Sequence, residues 1–541
     1  MSDAVVIGSG PNGLVAANLL AERGWSVTVL EEQAEPGGAV KSAEVTVPGF
    51  THDLFSAFYP LAAASPVIRR LALERHGLRW RRAPAVVAHP TADGRCATLF
   101  AELERTADSL AAFAADDGDA WRGLYAIWER AGQPFIDSLM SPFPPLRAGA
   151  RLAAALGPRG VLPFARLGVL SARRLGQETF AGEGGLNLVA GNALHADLTP
   201  DSAGGGLFGW VLCGLGQDGG FPVPEGGAGR LTEALVRRLE SHGGEVRCDS
   251  AVRRVIVRRG QAVAVATAEG TEHAAGRAVL ADCGAPQLYL SLLEREEVPD
   301  RLLRDLRKFQ YDNSTVKVDW ALSGPIPWIA EDARQAGTLH LAEGIDALTR
   351  TTTQLEAGVI PDDPFLIMGQ YSRADPTRQP DGAETAWAYT HVPQRPDSDA
   401  GGDLGGSWDD RETQLFAERV EGKIEKLAPG FRDLILGRHV FTPPKLEAAN
   451  ANLVGGAVNG GTAQLHQQLV FRPTPGLGRA ETPIRNLYLA SASAHPGGGV
   501  HGAAGANAAR AAIAHRRGRA VGFAGAGGAA AAAAAAILGR D

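Results

Sequence analysis

Apolar residues fill the first strand-length stretch of the chain, Ala4-Val5-Val6-Ile7, which runs straight into Gly8-Ser9-Gly10-Pro11-Asn12-Gly13-Leu14. The pattern predicts a buried strand, a tight glycine turn and a helix. A second apolar run, Val27-Thr28-Val29-Leu30, ends on Glu31 and predicts a neighbouring strand. Strand signals then give way to helical periodicity from Ala101 to Arg174. They return as short β runs at Val246, Val252 to Val257, Ala262 to Thr267 and Ala278 to Ala281, after an amphipathic helix over Leu231 to His242. Farther on, Thr315 to Ala321 and Ala386 to Val392 alternate as strands, with Tyr389 and His391 on one face and Thr390 and Val392 on the other. Arg395 to Arg411, rich in Asp, Gly and Ser, reads as a solvated loop. Asn486 to Ala490 is a last short strand, and a helix follows from about Gly502 to His515.

The N-terminal spacing carries chemistry. Gly8 allows the tight turn, Gly10 lets backbone N–H groups approach a pyrophosphate, and Gly13 lets the helix pack on the strand. Pro11 and Asn12 fill the turn between them. A dinucleotide's phosphates would sit at the positive helix terminus. Glu31 lies eighteen residues beyond Gly13, about where an acid accepts hydrogen bonds from a ribose, whereas Glu32 is turned away by strand alternation. On spacing alone both FAD and NAD are open. The turn Pro36-Gly37-Gly38 tips the choice to FAD through the resemblance described next.

Val6 to Leu14, the stretch Leu30-Glu31 to Gly38, and the distal run Asn486-Leu487-Tyr488-Leu489-Ala490 to His495-Pro496-Gly497-Gly498-Gly499-Val500-His501-Gly502 resemble the phytoene desaturase-like flavoproteins. Phe50-Thr51-His52-Asp53, Tyr389-Thr390-His391-Val392-Pro393 and Phe471-Arg472-Pro473 are similar to one branch. It is that of pyridine nucleotide-disulfide oxidoreductase domain-containing protein 2 and its bacterial relatives, often labelled phytoene dehydrogenase-related. The resemblance implies an α/β fold: a discontinuous Rossmann-like FAD-binding domain (1–90, 222–300 and 475–516) with an interleaved α+β substrate domain (91–221 and 301–474) and an Ala/Gly-rich tail (517–541). It also implies that Val252 lies near the cofactor. The implied activity is FAD-dependent dehydrogenation of a small lipophilic, polyene-like substrate.

Composition narrows this picture. With 541 residues, 45% of them hydrophobic, the chain can bury the cores of two or three domains. A net charge of −7 provides no basic field for a nucleic acid, and no nucleic-acid partner is expected. Cys96, Cys213, Cys248 and Cys283 are solitary, so a dithiol relay is not expected despite the branch name. The first strand begins at Ala4, leaving no room for a signal sequence, and the expected location is cytoplasmic.

Gly497, Gly498, Gly499 and Val500 would let backbone approach a flat isoalloxazine, with the helix that follows aiming its N-terminus at the ring. His495 and His501 flank this loop. His495 is the candidate base that removes a proton while flavin takes a hydride, and a purely structural histidine is the other reading. Lys317 reads as a solvated edge charge. Tyr389 and His391 either line the substrate pocket or pack in the core. Between Ser138 and Gln177 lie six arginines (Arg147, Arg151, Arg159, Arg166, Arg173 and Arg174) and no Asp or Glu, interleaved with leucines and valines. This segment suits either an anionic membrane surface, which would make the protein peripheral, or a lid whose arginine heads snorkel to solvent. The uncharged run Val521 to Leu538 reads as a loosely docked helical tail. Two rival functions are a nicotinamide-dependent flavin reductase, for which no second G-x-G-x-x-G follows a strand, and an FAD-binding interaction protein without turnover.

Overall fold

The computed structural model describes residues 2–520; the uncharged run at 521–538 lies outside them. Strand β1 (Ser2–Ile7), helix α1 (Pro11–Ala21) and strand β2 (Val27–Leu30) form the predicted unit. β1 pairs in parallel with β2 on one side and with Glu272–Ala281 on the other. Glu245–Arg247 extends the sheet beyond β2, and Leu487–Leu489 pairs in parallel with Glu272–Ala281. Segments distant in sequence thus complete one parallel sheet, with an antiparallel meander, Val252–Arg258 and Gln261–Thr267, leaning on its rim. The Rossmann-like α/β class expected from the sequence is borne out.

The second sheet runs in the order Ile435–Phe441, Ser314–Leu322, Glu384–Val392, Leu366–Gln370, Ala336–Leu341, Ala85–Pro90 and Cys96–Phe100. It is antiparallel except where Ala85–Pro90 runs parallel to Ala336–Leu341. Ala85–Pro90, expected in the first unit, therefore belongs to this sheet by hydrogen bonding. Six helices between Leu103 and Gly219 cover one face of the sheet. Val316, Val318, Trp320, Ala388 and Val392 point into a separate core on the other face, as the alternation predicts.

One local expectation is corrected. Ser314–Leu322 has a partner strand on each side, so Lys317 is not an edge charge; it is buried and ion-paired with Asp319. The loop after Arg395 is stitched down: Ser398–Asp399 pairs with Val359–Ile360, and the Asp399 carboxylate pairs with Arg419 and accepts from the Gly401, Asp403 and Leu404 amides.

Candidate active site

The glycine turn is shaped by close approach. Gly8 has φ +88°, and a Cβ on Gly13 would lie 2.3 Å from the Gly8 carbonyl oxygen, so a side chain there would lift α1 off the strand. Gly10 is the N-cap of α1, with no side-chain cap, and Pro11 opens the helix. A Cβ on Gly10 would meet Asp282 Oδ2 at 2.6 Å, and one on Gly38, at φ +56°, would meet Gly10 Cα at 2.9 Å. The turn at Gly37 and Gly38 thus closes against the first glycine turn, with the Gly37 amide donating to the Ser9 carbonyl at 3.2 Å.

Glu31 follows directly on β2 and is buried. Its Oε2 accepts from the Ser9 amide at 2.9 Å and the Ser9 hydroxyl at 2.5 Å, and Oε1 accepts from the Gln33 amide at 3.0 Å. Oε1 keeps a lone pair for a ribose hydroxyl. Glu32 is turned outward onto Arg253, as strand alternation requires. Val252 packs with Ile7 and Leu30 at the end of the sheet, beside the point where the Ser250 amide donates to the Glu31 carbonyl.

Sequence reasoning missed Asp282, directly after the strand Glu272–Ala281. Its Oδ2 accepts from the Gly13 amide at 2.7 Å, at the helix terminus where a phosphate was expected. Burial, and to a lesser extent the charge of Glu31, push its pKa well above the usual carboxylate range against the pull of the Gly13 amide. A protonated acid can stand beside a phosphate without like-charge repulsion. The available signal was an acid placed immediately after a strand that pairs with β1.

At the distal loop, Gly497, Gly499 and Gly502 take φ of +114°, +102° and +69°. Gly498 and Val500 are half-buried and Gly499 is exposed. A Cβ on Gly498 would lie 2.6 Å from the Asn459 carbonyl oxygen, and one on Gly499 would lie 2.9 Å from Leu61 Cδ1. Asn12 Oδ1 accepts from the Gly505 amide at 3.5 Å and joins α1 to the helix Ala503–Ala520. The N-terminal turn, the Gly37–Gly38 turn and the distal loop are therefore one continuous cradle. Its glycines are demanded by close contacts with Gly8, Asp282, Asn459, Leu61 and Val15, and the bare backbone they leave fits a dinucleotide with a flat ring at the distal end.

Arg472 braces the loop from behind. Fully buried, it donates to the carbonyls of Ala492 (2.7 Å), Thr462 (2.9 Å) and Gly460 (3.2 Å). Burial lowers its pKa to about 10.

His495 and His501 are both buried. Burial lowers each to about 4, so both rings are neutral near pH 7. His501 Nδ1 accepts from the Ala503 amide at 3.0 Å and caps the following helix. His495 Nε2 lies 3.2 Å from the Ser141 carbonyl, which assigns the proton to Nε2 and leaves Nδ1, without a partner, as the basic atom. Its ring also meets Phe143 and lines a cavity of about 240 Å³ with Asn507 and Arg510.

In front of the distal loop lies an aromatic wall. Trp387 and Tyr389 stack at 6.0 Å, and Phe58 stacks on Tyr371 at 5.7 Å. Phe58, Leu61 and Tyr389 keep accessible surface although the elements around them are buried, and Ala503 belongs to the same apolar cluster. Side chains of this apolar cluster thus run from the sheet towards Gly499, while the buried Lys317–Asp319 ion pair stands directly across from Tyr389 and Trp387 on the adjoining strand.

The fold and the cradle define a Rossmann-type dinucleotide-binding protein, and residues 6–74 match the NAD(P)-binding Rossmann-like domain family. Over nearly its full length the chain is similar to pyridine nucleotide-disulfide oxidoreductase domain-containing protein 2 of Rattus norvegicus (28% identity, 94% of this chain and 92% of the relative). It is also similar to one of the subunits of limonene dehydrogenase from Castellaniella defragrans (23%, 94% of each chain) and to a neurosporene-forming phytoene desaturase of Rhodobacter capsulatus (24%, 92% and 91%). The resemblance carried by the sequence motifs is borne out. Among solved structures, cyclohexylamine oxidase from Brevibacterium oxydans shares the fold, with a TM-score of 0.59, 15% identity, and 95% of this chain and 99% of that one covered.

Proposed function

We propose that the protein is an FAD-dependent oxidoreductase that dehydrogenates a small lipophilic substrate. The observation that carries this reading is the junction at Gly499, where the distal glycine loop abuts Leu61 of the apolar cluster that also holds Phe58, Trp387 and Tyr389. Two relatives named for hydrocarbon chemistry, a limonene dehydrogenase and a phytoene desaturase, support the substrate class. FAD supplies a two-electron acceptor that takes a hydride at N5. The chain would hold the adenosine ribose through Glu31 and the pyrophosphate at the α1 terminus. It would support the ring on Gly497, Gly498, Gly499 and Val500 and keep water away with the aromatic wall. The proton lost from the neighbouring carbon would go to His495 Nδ1. A quinone or oxygen would reoxidise the flavin.

The helical segment Leu146–Leu167, broken at Gly157, supports substrate delivery from a lipid surface. Leu146, Leu162 and Val169 are 77%, 78% and 60% exposed, and Arg147 and Arg159 beside them make no ion pair among the described residues. Exposed leucines flanked by unpaired arginines suit the headgroup region of an anionic bilayer. No described helix is long and apolar enough to cross a membrane.

The direct experiment is anaerobic titration of the purified flavoprotein with NADH and NADPH while following the band near ~450 nm that oxidised flavins show. An unchanged band is expected, with bleaching on adding a lipophilic substrate. Bleaching by the nicotinamides would replace this reading with a reductase.

A further inference from the structure

Trp387 and Tyr389 share their face of the sheet with Asp319 and Lys317, which stand directly opposite them and pair with each other. Beyond Tyr389 on the same face of Glu384–Val392 stands His391, its ring 5.7 Å from that of Tyr389 and perpendicular to it. Thr315 on the adjoining strand is its direct cross-strand neighbour. Each residue is 4% exposed, yet neither Thr315 Oγ1 nor either ring nitrogen of His391 has a hydrogen-bond partner. His391 is the only described buried histidine unpartnered at both nitrogens: His52, His89, His340, His495 and His501 each place one nitrogen on Thr46, Ala342, His195, Ser141 and Ala503 respectively. Nearby, the Nε2 atoms of His195 and His340 share a hydrogen bond at 2.8 Å, which leaves His340 Nδ1 without a partner.

Three unpartnered polar atoms on one cross-strand residue pair are costly in a core that could have used valine and phenylalanine, because a buried donor or acceptor loses its water without compensation. A neutral imidazole offers one donor and one acceptor, and a threonine hydroxyl offers both. A pure hydrocarbon could satisfy none of these.

We propose that His391 and Thr315 receive a hydroxyl or carbonyl oxygen at one end of an otherwise apolar substrate, with Tyr389 and Trp387 flanking the apolar part. The inference rests on the lipophilic-substrate reading above and narrows it to oxygenated amphiphiles. It makes His391 and Thr315 specificity determinants, distinct from the proton acceptor.

The test uses the oxidised holoprotein and two probes with the same chain, farnesol and farnesene, reading dissociation constants from the perturbation of the flavin band. Farnesol is expected to bind at least ~10-fold more tightly than farnesene, the worth of one good hydrogen bond in a dry site. In His391→Phe and in the isosteric Thr315→Val that ratio should fall towards one, with flavin content and melting temperature close to wild type. If His391→Phe fails to fold, Thr315→Val carries the comparison. Equal binding of the two probes to the wild type, or a ratio that survives in the variants, overturns the proposal and leaves the lipophilic reading standing. Binding of neither probe overturns both.

Discussion

Asp53 and Arg378 form an ion pair with no solvent contact: Asp53 Oδ2 accepts from Arg378 Nη1 at 2.7 Å, and both side chains are 0% exposed. The same oxygen accepts from the Tyr371 hydroxyl at 2.7 Å, and Arg378 Nε donates to Asp375 at 3.0 Å. Asp53 Oδ1 takes the Ala228 amide at 2.7 Å, so the pair fastens the helix Gly229–Ser241, which packs on α1, to the turn between Leu366–Gln370 and Glu384–Val392 of the second sheet. Removing the cation strands two buried carboxylates. Arg378→Met should cost about 3–5 kcal/mol of stability, and Asp53→Asn combined with it should cost less than the sum of the two. Urea denaturation of the single and double variants checks this.

Acid should weaken the fold well above the carboxylate range. Burial lowers His89, His195, His495 and His501 to about 4. A base with a depressed folded-state pKa binds a proton more readily when unfolded, so its contribution is intact above the unfolded pKa of about 6.5 and is lost as the pH falls towards about 4. Melting temperature measured from pH 8 to pH 4 should decline from about pH 6.5, and more shallowly in His89→Gln than in the wild type.

Asp282 has the opposite sign. Its folded pKa is raised, so it destabilises the native state once the pH exceeds the unfolded value of about 4, and the cost grows until its folded pKa is reached. Asp282→Asn should therefore melt higher than the wild type at pH 8, with the gain vanishing near pH 4. It should also retain FAD, since the amide oxygen can still accept from Gly13. Loss of flavin at unchanged melting temperature would show that the carboxyl group itself is required.

His495→Gln should lower turnover at least ~100-fold while leaving the flavin spectrum unchanged, the range expected on removing a general base. Unaltered turnover would assign the ring to structure alone, through its contact with Ser141.

Leu146→Asp with Leu162→Asp should reduce co-sedimentation with phosphatidylglycerol-containing vesicles at least ~10-fold, without changing binding to neutral vesicles or flavin content. Equal sedimentation of wild type and variant would assign the segment to the lid reading.

The cradle was legible because its glycines answer backbone demands that no other residue meets. Gly13 must abut Gly8, and the residues reporting this lie within a dozen positions. Asp282 was not, because its partner Gly13 is 269 residues away and only strand pairing brings them together. Lys317 was misread for a related reason. Alternation shows which residues share a face, but the order of strands in a sheet, which makes Ser314–Leu322 interior, is not written in any one segment. The polar pair Thr315 and His391 shared that fate, since two residues 76 positions apart become neighbours only through the register.

The contact from His495 to the Ser141 carbonyl ties the loop proposed to carry the flavin ring to the turn that leads into Leu146–Leu167. Two binding events on one mechanical unit obey reciprocity: if seating the ring favours one posture of the outer helices, a surface that prefers that posture must tighten the seat by the same factor. Cofactor retention then becomes a gauge of where the protein is docked.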